Sequence, residues 1–356
     1  MFRDDKLPKG NSSMHHKKPL PALLVVLLDL LGIGAMLGIF ALFLFMPQSG
    51  SDQPLQSIVF GNSAAPAAEQ AAAADPLEST PPSDTAAVSA TPEPTPTPAP
   101  GDFSAVFPVD EPEEAVGVVG SYADENLRVT VSERHSEDAT YFVADVWIRN
   151  IREYKTAFAN DRFGRGLYEM PSDIAIRQNA VVAISGDTYG SNSQSVVIRN
   201  GNLYRDSIGT EDVCILYADG VMESYTAVDF DLDAAIARGA YQSWAFGPKL
   251  IDNGEIPASY NTTDIILSHN PRSAIGYYEP GHYCLVVVDG RQGDYSRGMT
   301  MDELSQAMLD LGCIDAYNLD GGQSAMMVFQ GQVVSQPYKG GRAISDIIYF
   351  GGNDPE

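Results

Sequence analysis

Ala316-Tyr317-Asn318-Leu319-Asp320-Gly321-Gly322-Gln323-Ser324-Ala325-Met326-Met327-Val328-Phe329-Gln330-Gly331 is a short apolar run, an acid followed by glycines, and a second apolar run ending in a turn pair. Runs this short, bounded by turn residues, read as strands. The same pattern recurs in Val196–Arg199 before Asn200-Gly201, Cys214–Tyr217 before Asp219-Gly220, and Lys249–Ile251 before Asn253-Gly254. Asn-Gly and Asp-Gly supply the positive φ angles that tight hairpins need. Tyr283–Val288 is apolar throughout, as expected of a strand in the middle of a sheet.

Helices are fewer. Thr300 and Glu303 form a capping box, Met301, Leu304, Met308 and Leu311 follow helical spacing, and Gly312 ends the helix. A second helix is expected over Ser172–Gln178, ahead of a strand at Ala180–Ile184. The expected fold is therefore α+β: a hairpin-rich mixed β-sheet domain with a few packed helices, preceded by one transmembrane helix and a disordered stalk.

That preceding part divides in two. Residues 20–46 are apolar and charged only at Asp29, long enough to cross a hydrocarbon core of ~30 Å. Arg3, Lys6, Lys9, Lys17 and Lys18 outweigh Asp4 and Asp5 on the N-terminal flank. The positive-inside rule makes 1–19 a cytoplasmic tail, 20–46 a signal-anchor helix and the remainder extracellular. Residues 47–115 read as an Ala/Pro-rich linker, since 21 of the 40 residues in 61–100 are Ala or Pro and such a segment cannot bury enough surface to fold. The domain is then 116–356.

The chain carries a net charge of −25, which argues against nucleic acid as a partner. Cys214, Cys284 and Cys313 have no metal-ligand spacing and read as buried free thiols. After the apolar segment only His135, His269 and His282 remain, with no His-Glu-x-x-His and no Gly-x-Ser-x-Gly, which argues against zinc-hydrolase and serine-hydrolase chemistry.

Acidic residues recur where an apolar strand gives way to glycine. Val181–Ile184 leads into Ser185-Gly186-Asp187, Leu285–Val288 into Asp289-Gly290-Arg291, and Ala316–Leu319 into Asp320-Gly321-Gly322. Strand ends display functional side chains on a rigid scaffold, and glycine lets a ligand approach the backbone.

Asn318-Leu319-Asp320-Gly321-Gly322-Gln323-Ser324-Ala325-Met326 resembles the signature of the phosphodiester glycosidase family, which includes the animal uncovering enzyme. The likeness extends in family order through Ala157–Asp161, Ser185–Gly190, Phe246–Pro248, Asn270–Gly276, Val288–Arg291, Gly298–Thr300 and Arg342–Asp346, covering Asn126 to Gly352. Gln323 stands where a third glycine is usual in the family, which bears on the sugar pocket.

The resemblance implies hydrolysis of the anomeric C–O bond of a sugar-1-phosphodiester, with an N-acetylglucosamine-type sugar, in wall or extracellular polysaccharide. A carboxylate stabilises or traps the positive charge that develops on the sugar, and the candidates in order are Asp320, Asp187 and Asp289. Arg272 and Arg291 offer planar forks to phosphate oxygens. Asn318 and Ser324 are candidates for hydrogen bonds to substrate, Gly321 and Gly322 for backbone donors, and Tyr189 for packing on a sugar face. No metal or cofactor is expected, calcium or magnesium being the alternative that clustered aspartates leave open. The partners are then a glycan phosphodiester and the membrane, the latter through one N-terminal helix. A non-catalytic glycan-binding module and a phosphodiesterase cutting P–O remain as alternatives.

Overall fold

Asn200 and Gly201 adopt left-handed φ at 51° and 77°, as do Asn253 and Gly254 at 51° and 81°, and Gln330 and Gly331 at 46° and 74°. Both residues of these turns have the sign that suits the twist of an antiparallel pair. They close β7 (Val197–Arg199) onto β8 (Asn202–Arg205) and β16 (Met327–Phe329) onto β17 (Gln332–Val333), and turn the chain after β12 (Lys249–Ile251). At the fourth turn, between β9 (Val213–Tyr217) and β10 (Met222–Tyr225), Gly220 supplies the left-handed φ of 87°.

The computed structural model describes residues 53–58, 101–108 and 117–354. The chain divides into two units, 1–48 and 49–356, and the described residues all belong to the second. The apolar run 20–46 expected to anchor the chain lies outside them. Among the described residues no helix is long and apolar enough to cross a membrane.

Two large sheets face each other. The seven-stranded one runs β12, β15 (Asp315–Leu319), β13 (Arg272–Glu279), β14 (His282–Val288), β4 (Thr140–Ile148), β3 (Leu127–His135), β2 (Val118–Ala123). The five-stranded one runs β17, β16, β6 (Val182–Ser185), β18 (Asp346–Phe350), β5 (Tyr154–Phe158). Two three-stranded sheets flank them: β1 (Gln56–Ser57) with β8 and β7, and β10 with β9 and β11 (Ala240–Trp244). Sheets with a few packed helices make this an α+β domain. Its strand pairings are antiparallel, which narrows the mixed sheet expected.

Residue alternation explains the apolar runs. Along β14, Tyr283, Leu285 and Val287 enter the core between the large sheets, while Cys284, Val286 and Val288 enter a second core behind the sheet. That second core is closed by Met301, Leu304 and Met308 of the helix Met301–Asp310, whose capping box of Thr300 and Glu303 is formed. Behind the five-stranded sheet, Ile174 and Ala175 of the helix Pro171–Arg177 cover Ala183, Val328, Ile347 and Tyr349. Strands buried on both faces have no polar side to show, so they read as continuous hydrophobic runs. Cys214, Cys284 and Cys313 are buried and free.

Two pieces of the segment expected as linker fold onto this domain. Leu55 and Ile58 donate backbone N–H groups to Leu203 and Gly201, each at 2.7 Å, and Ile58 is buried. Phe103 and Phe107 are buried too, with the Phe103 N–H on the Arg149 carbonyl at 2.8 Å. A Cβ on Gly220 or Gly281 would lie 2.6 or 2.7 Å from Phe103, so the sequence keeps glycine on both sides of that ring. Phe103→Ala is expected to destabilise the domain by about 3–5 kcal/mol. A chain beginning at Val116 is therefore expected to melt well below one beginning at Gly101, as circular dichroism would register; equal melting temperatures would mean that the Phe103 contact adds nothing.

Candidate functional site

Antiparallel pairing decides where the acidic strand ends meet. Arg272 pairs with Val288, Ser273 with Leu319, and Ile347 with Ser185. The ends of β6, β14 and β15 therefore lie at one end of the two sheets, beside the starts of β13 and β18. The sheets are stitched together there: the Asp320 N–H donates to the Gly186 carbonyl at 3.3 Å, and Ser185 Oγ donates to the Ser324 carbonyl. Asp187, Asp289 and Asp320 all sit at this end, but in different surroundings.

Asp320 has a reachable cation beside it. Its carboxylate accepts from Ser324 Oγ at 2.5 Å and from Arg342 Nη2 at 2.8 and 3.2 Å, while Arg342 Nε donates to Ser324 Oγ at 2.6 Å. The Asp320 side chain is 10% exposed and that of Arg342 51%, so the pair opens to solvent on the arginine side. Burial pushes the Asp320 carboxyl above its ordinary value, with Ser324 and Arg342 pulling the other way.

Asp187 belongs to a buried ionic group. Its oxygens accept from the Tyr189 N–H at 2.9 Å and the Ala245 N–H at 3.2 Å, and Arg199 Nη2 stands 3.3 Å away. Arg199 Nε donates to Asp346 Oδ2 at 2.7 Å, and Nη2 lies 2.7 Å from the same oxygen as an ion-pair contact without a hydrogen bond. Asp346 in turn accepts the Asp187 N–H at 3.1 Å. Burial drives Asp346 up to about 7 even with Arg199 beside it.

Asp289 is spent on a loop. Both its oxygens accept the Gln336 N–H at 2.9 Å, and Tyr295 Oη donates at 2.9 Å. Burial raises it, with these donors opposing.

The expected binding residues also separate. Arg291 lies at the site: its Nη2 donates to Asn270 Oδ1 at 2.6 Å, and its guanidinium faces Gly322. Arg272 does not offer the phosphate fork expected of it. It is buried, with Nε on the Met299 carbonyl at 2.9 Å and Nη2 on the carbonyls of Ile266 and Ser268 at 2.6 Å. Burial, with Arg291 nearby, lowers its pKa to about 10.

Gly322 spends its N–H on the Pro271 carbonyl at 2.8 Å, and a Cβ on Gly321 would lie 2.5 Å from the same oxygen. Asn318 is fully buried; its amide donates to the Gly247 carbonyl at 2.6 Å and its side-chain oxygen has no protein partner. Tyr189, expected to face a sugar, is only 1% exposed and lies under Phe163, the rings 5.4 Å apart and nearly parallel. Gln323 is tied to the Gly341 carbonyl at 2.8 Å.

Arg342 is the main addition to the sequence reading, where it appeared only at the head of Arg342–Asp346. Lys339-Gly340-Gly341 before it marks a turn and says nothing of the carboxylate that the arginine meets. Arg199, Asp346, Asn270 and Tyr338 were likewise not singled out.

These contacts make two forecasts about stability. Arg272→Lys retains charge but cannot serve these three carbonyls together, so it is expected to cost about 2–3 kcal/mol; an unchanged melting temperature would free Arg272 for substrate. A carboxyl raised on folding contributes stability below its ordinary pKa that is lost as pH rises through the raised value. The melting temperature is therefore expected to fall between about pH 4 and 7. The slope should be shallower in Asp346→Asn and not abolished, because Asp315 is also raised to about 7 by burial and Asp252. A slope identical to wild type would contradict the assignment.

Residues 178–351 match the family model described as phosphodiester glycosidase. The SPbeta prophage-derived uncharacterized protein YomE of Bacillus subtilis (strain 168) is 30% identical over 246 residues, which take in 62% of this chain and 38% of that protein. The chain thus spans well under two thirds of that relative. A solved structure, the zebrafish N-acetylglucosamine-1-phosphodiester alpha-N-acetylglucosaminidase catalytic domain auto-inhibited by pro-peptide, superposes with a TM-score of 0.51 at 19% identity. The match covers 72% of this chain and 96% of that one, a likeness of fold.

Proposed function

From a chain whose residues 178–351 match the phosphodiester glycosidase family model, we propose an extracellular, membrane-anchored hydrolase that cleaves the anomeric C–O bond of a sugar-1-phosphodiester. The sugar is of the N-acetylglucosamine type, and the substrate belongs to wall or extracellular polysaccharide. The outward placement rests on the apolar run 20–46 and its basic N-terminal flank.

The observation that carries the reading is the pairing of a mostly buried Asp320 with a half-exposed Arg342, beside Arg291 at the Gly321-Gly322 turn. A phosphodiester is an anion, and a chain of net charge −25 must meet it with local cations. Arg291 and Arg342 supply them, each in the planar form that suits phosphate oxygens. Asp320 then faces the anomeric carbon as it becomes electron-poor, either trapping it or stabilising the charge. The phosphate departs as a monoester and needs little protonation, while water adds its hydroxyl to the anomeric carbon and releases its proton to solvent.

The pH dependence follows. Asp320 acts ionised and its pKa is raised, so activity falls as pH drops through a value above the ordinary ~3.9. Arg342 lowers that pKa, so Arg342→Gln should move the acid limb of kcat/KM to higher pH as well as weaken phosphate handling. Asp320→Asn should cut kcat by roughly 10²–10⁴-fold with its melting temperature kept. Steady-state kinetics on a synthetic N-acetylglucosamine-1-phosphodiester, run beside thermal melts, test both. A folded Asp320→Asn protein with near-normal kcat would remove Asp320 from the chemistry.

A further inference from the structure

The segment from Ser335 to Arg342 crosses the open end of the site and is fixed at both of its own ends. At its start the Gln336 N–H is held between the two oxygens of Asp289 at 2.9 Å. Gln292 Nε2 donates to the Gln336 carbonyl at 2.6 Å, and Gln336 Nε2 returns a hydrogen bond to Gln292 Oε1 at 2.9 Å. Ser335 Oγ accepts the Met327 N–H at 2.9 Å. At its far end Gln323 holds the Gly341 carbonyl, and Arg342 holds Asp320 and Ser324. Between these ties the chain turns tightly through Tyr338–Gly340, with Lys339, Gly340 and Gly341 at φ of 53°, 79° and 88°.

Tyr338 is carried on that turn. Its ring is half-buried, with the Arg291 guanidinium 5.6 Å and Lys339 Nζ 5.2 Å from the ring centroid. Arg291 also faces Gly322, in the turn that carries Asp320 and Ser324. Tyr338, Arg291 and the turn that carries Asp320 and Ser324 are thus linked through successive contacts. Tyr189 cannot play the aromatic part, being buried beneath Phe163.

We propose that Tyr338 is the residue on which the sugar ring packs, and that Asp289 is the positioning residue that holds it there. The inference rests on the glycosidase reading given above and assigns its sugar subsite. A pyranose presents an apolar C–H face that packs on an aromatic ring with little side-chain ordering cost. A sugar packed on Tyr338 shares the ring with Arg291 and Lys339, which lie over it and would meet its anomeric phosphate. Asp289 has no part in the chemistry: its oxygens are occupied by Gln336 and Tyr295, and it acts through the loop.

Four proteins and two measurements test this: wild type, Tyr338→Ala, Tyr338→Phe and Asp289→Asn. The measurements are steady-state kinetics on a synthetic N-acetylglucosamine-1-phosphodiester and calorimetric binding of N-acetylglucosamine-1-phosphate. Tyr338→Ala should raise KM and weaken probe binding by about tenfold while kcat changes much less. Tyr338→Phe, which keeps the ring, should stay within about twofold of wild type. Asp289→Asn should raise KM in the same direction, and adding it to Tyr338→Ala should raise KM little further, since both act on one contact. Unchanged KM and binding in Tyr338→Ala, with wild type active, would overturn the subsite and leave the glycosidase reading standing. A large loss of kcat at constant KM in a folded Asp289→Asn protein would overturn the positioning role. Wild type that neither turns over the diester nor binds the probe would remove both readings together.

Discussion

Arg199 is fully buried at the junction of several strands, and the geometry of the open end hangs on it. From β7 it grips Asp346 at the start of β18 and Asp187 just past the end of β6, while its remaining nitrogen bonds the carbonyls of Ile198 and Ser243. Two carboxylates against one guanidinium leave an excess negative charge in a medium that tolerates it poorly. Burial drives Asp346 up to about 7, and the neighbouring Asp187 carboxylate adds to the rise. Removing the arginine would strand two buried carboxylates, a change that typically costs about 3–5 kcal/mol. The group also fixes the Gly186-Asp187 segment, whose Gly186 carbonyl receives the Asp320 N–H. A buried ionic knot thereby holds in place the carboxylate that pairs with the solvent-facing Arg342.

From that fixed point the site builds outward by division of labour among similar residues. Asp187 and Asp289 have their oxygens committed to Arg199 and to Gln336, whereas Asp320 pairs with an arginine that solvent reaches. Arg272 has two of its nitrogens committed to backbone carbonyls, whereas Arg291 reaches the Gly322 turn. On the proposed reading, the inner member of each kind shapes the loops and the outer member meets substrate.

Much of the scaffold was legible because its signals are local. Asn-Gly and Gln-Gly pairs fix turn geometry by themselves, and Tyr283–Val288 is apolar because both faces of that strand are covered. The roles within the site were less legible, because they depend on partners far along the chain. Val288-Asp289-Gly290 and Leu319-Asp320-Gly321 are alike in sequence. What separates them is Gln336, 47 positions after Asp289, and Arg342, 22 positions after Asp320. Arg272 read as a phosphate ligand because sequence shows its charge and not the carbonyls of Ile266, Ser268 and Met299 that its fork meets. Tyr189 read as a sugar platform because nothing adjacent to it reveals that Phe163 covers its ring.

In the proposed reaction the bond broken lies between carbon and oxygen, with Asp320 facing the carbon. Hydrolysis of an N-acetylglucosamine-1-phosphodiester in ¹⁸O-labelled water, followed by mass spectrometry of both products, reports on that bond directly. Cleavage of that bond puts the label at the anomeric position of the released sugar and none in the phosphate monoester. Label in a phosphate, with a sugar phosphate and an alcohol as the products, would contradict it and make the protein a phosphodiesterase.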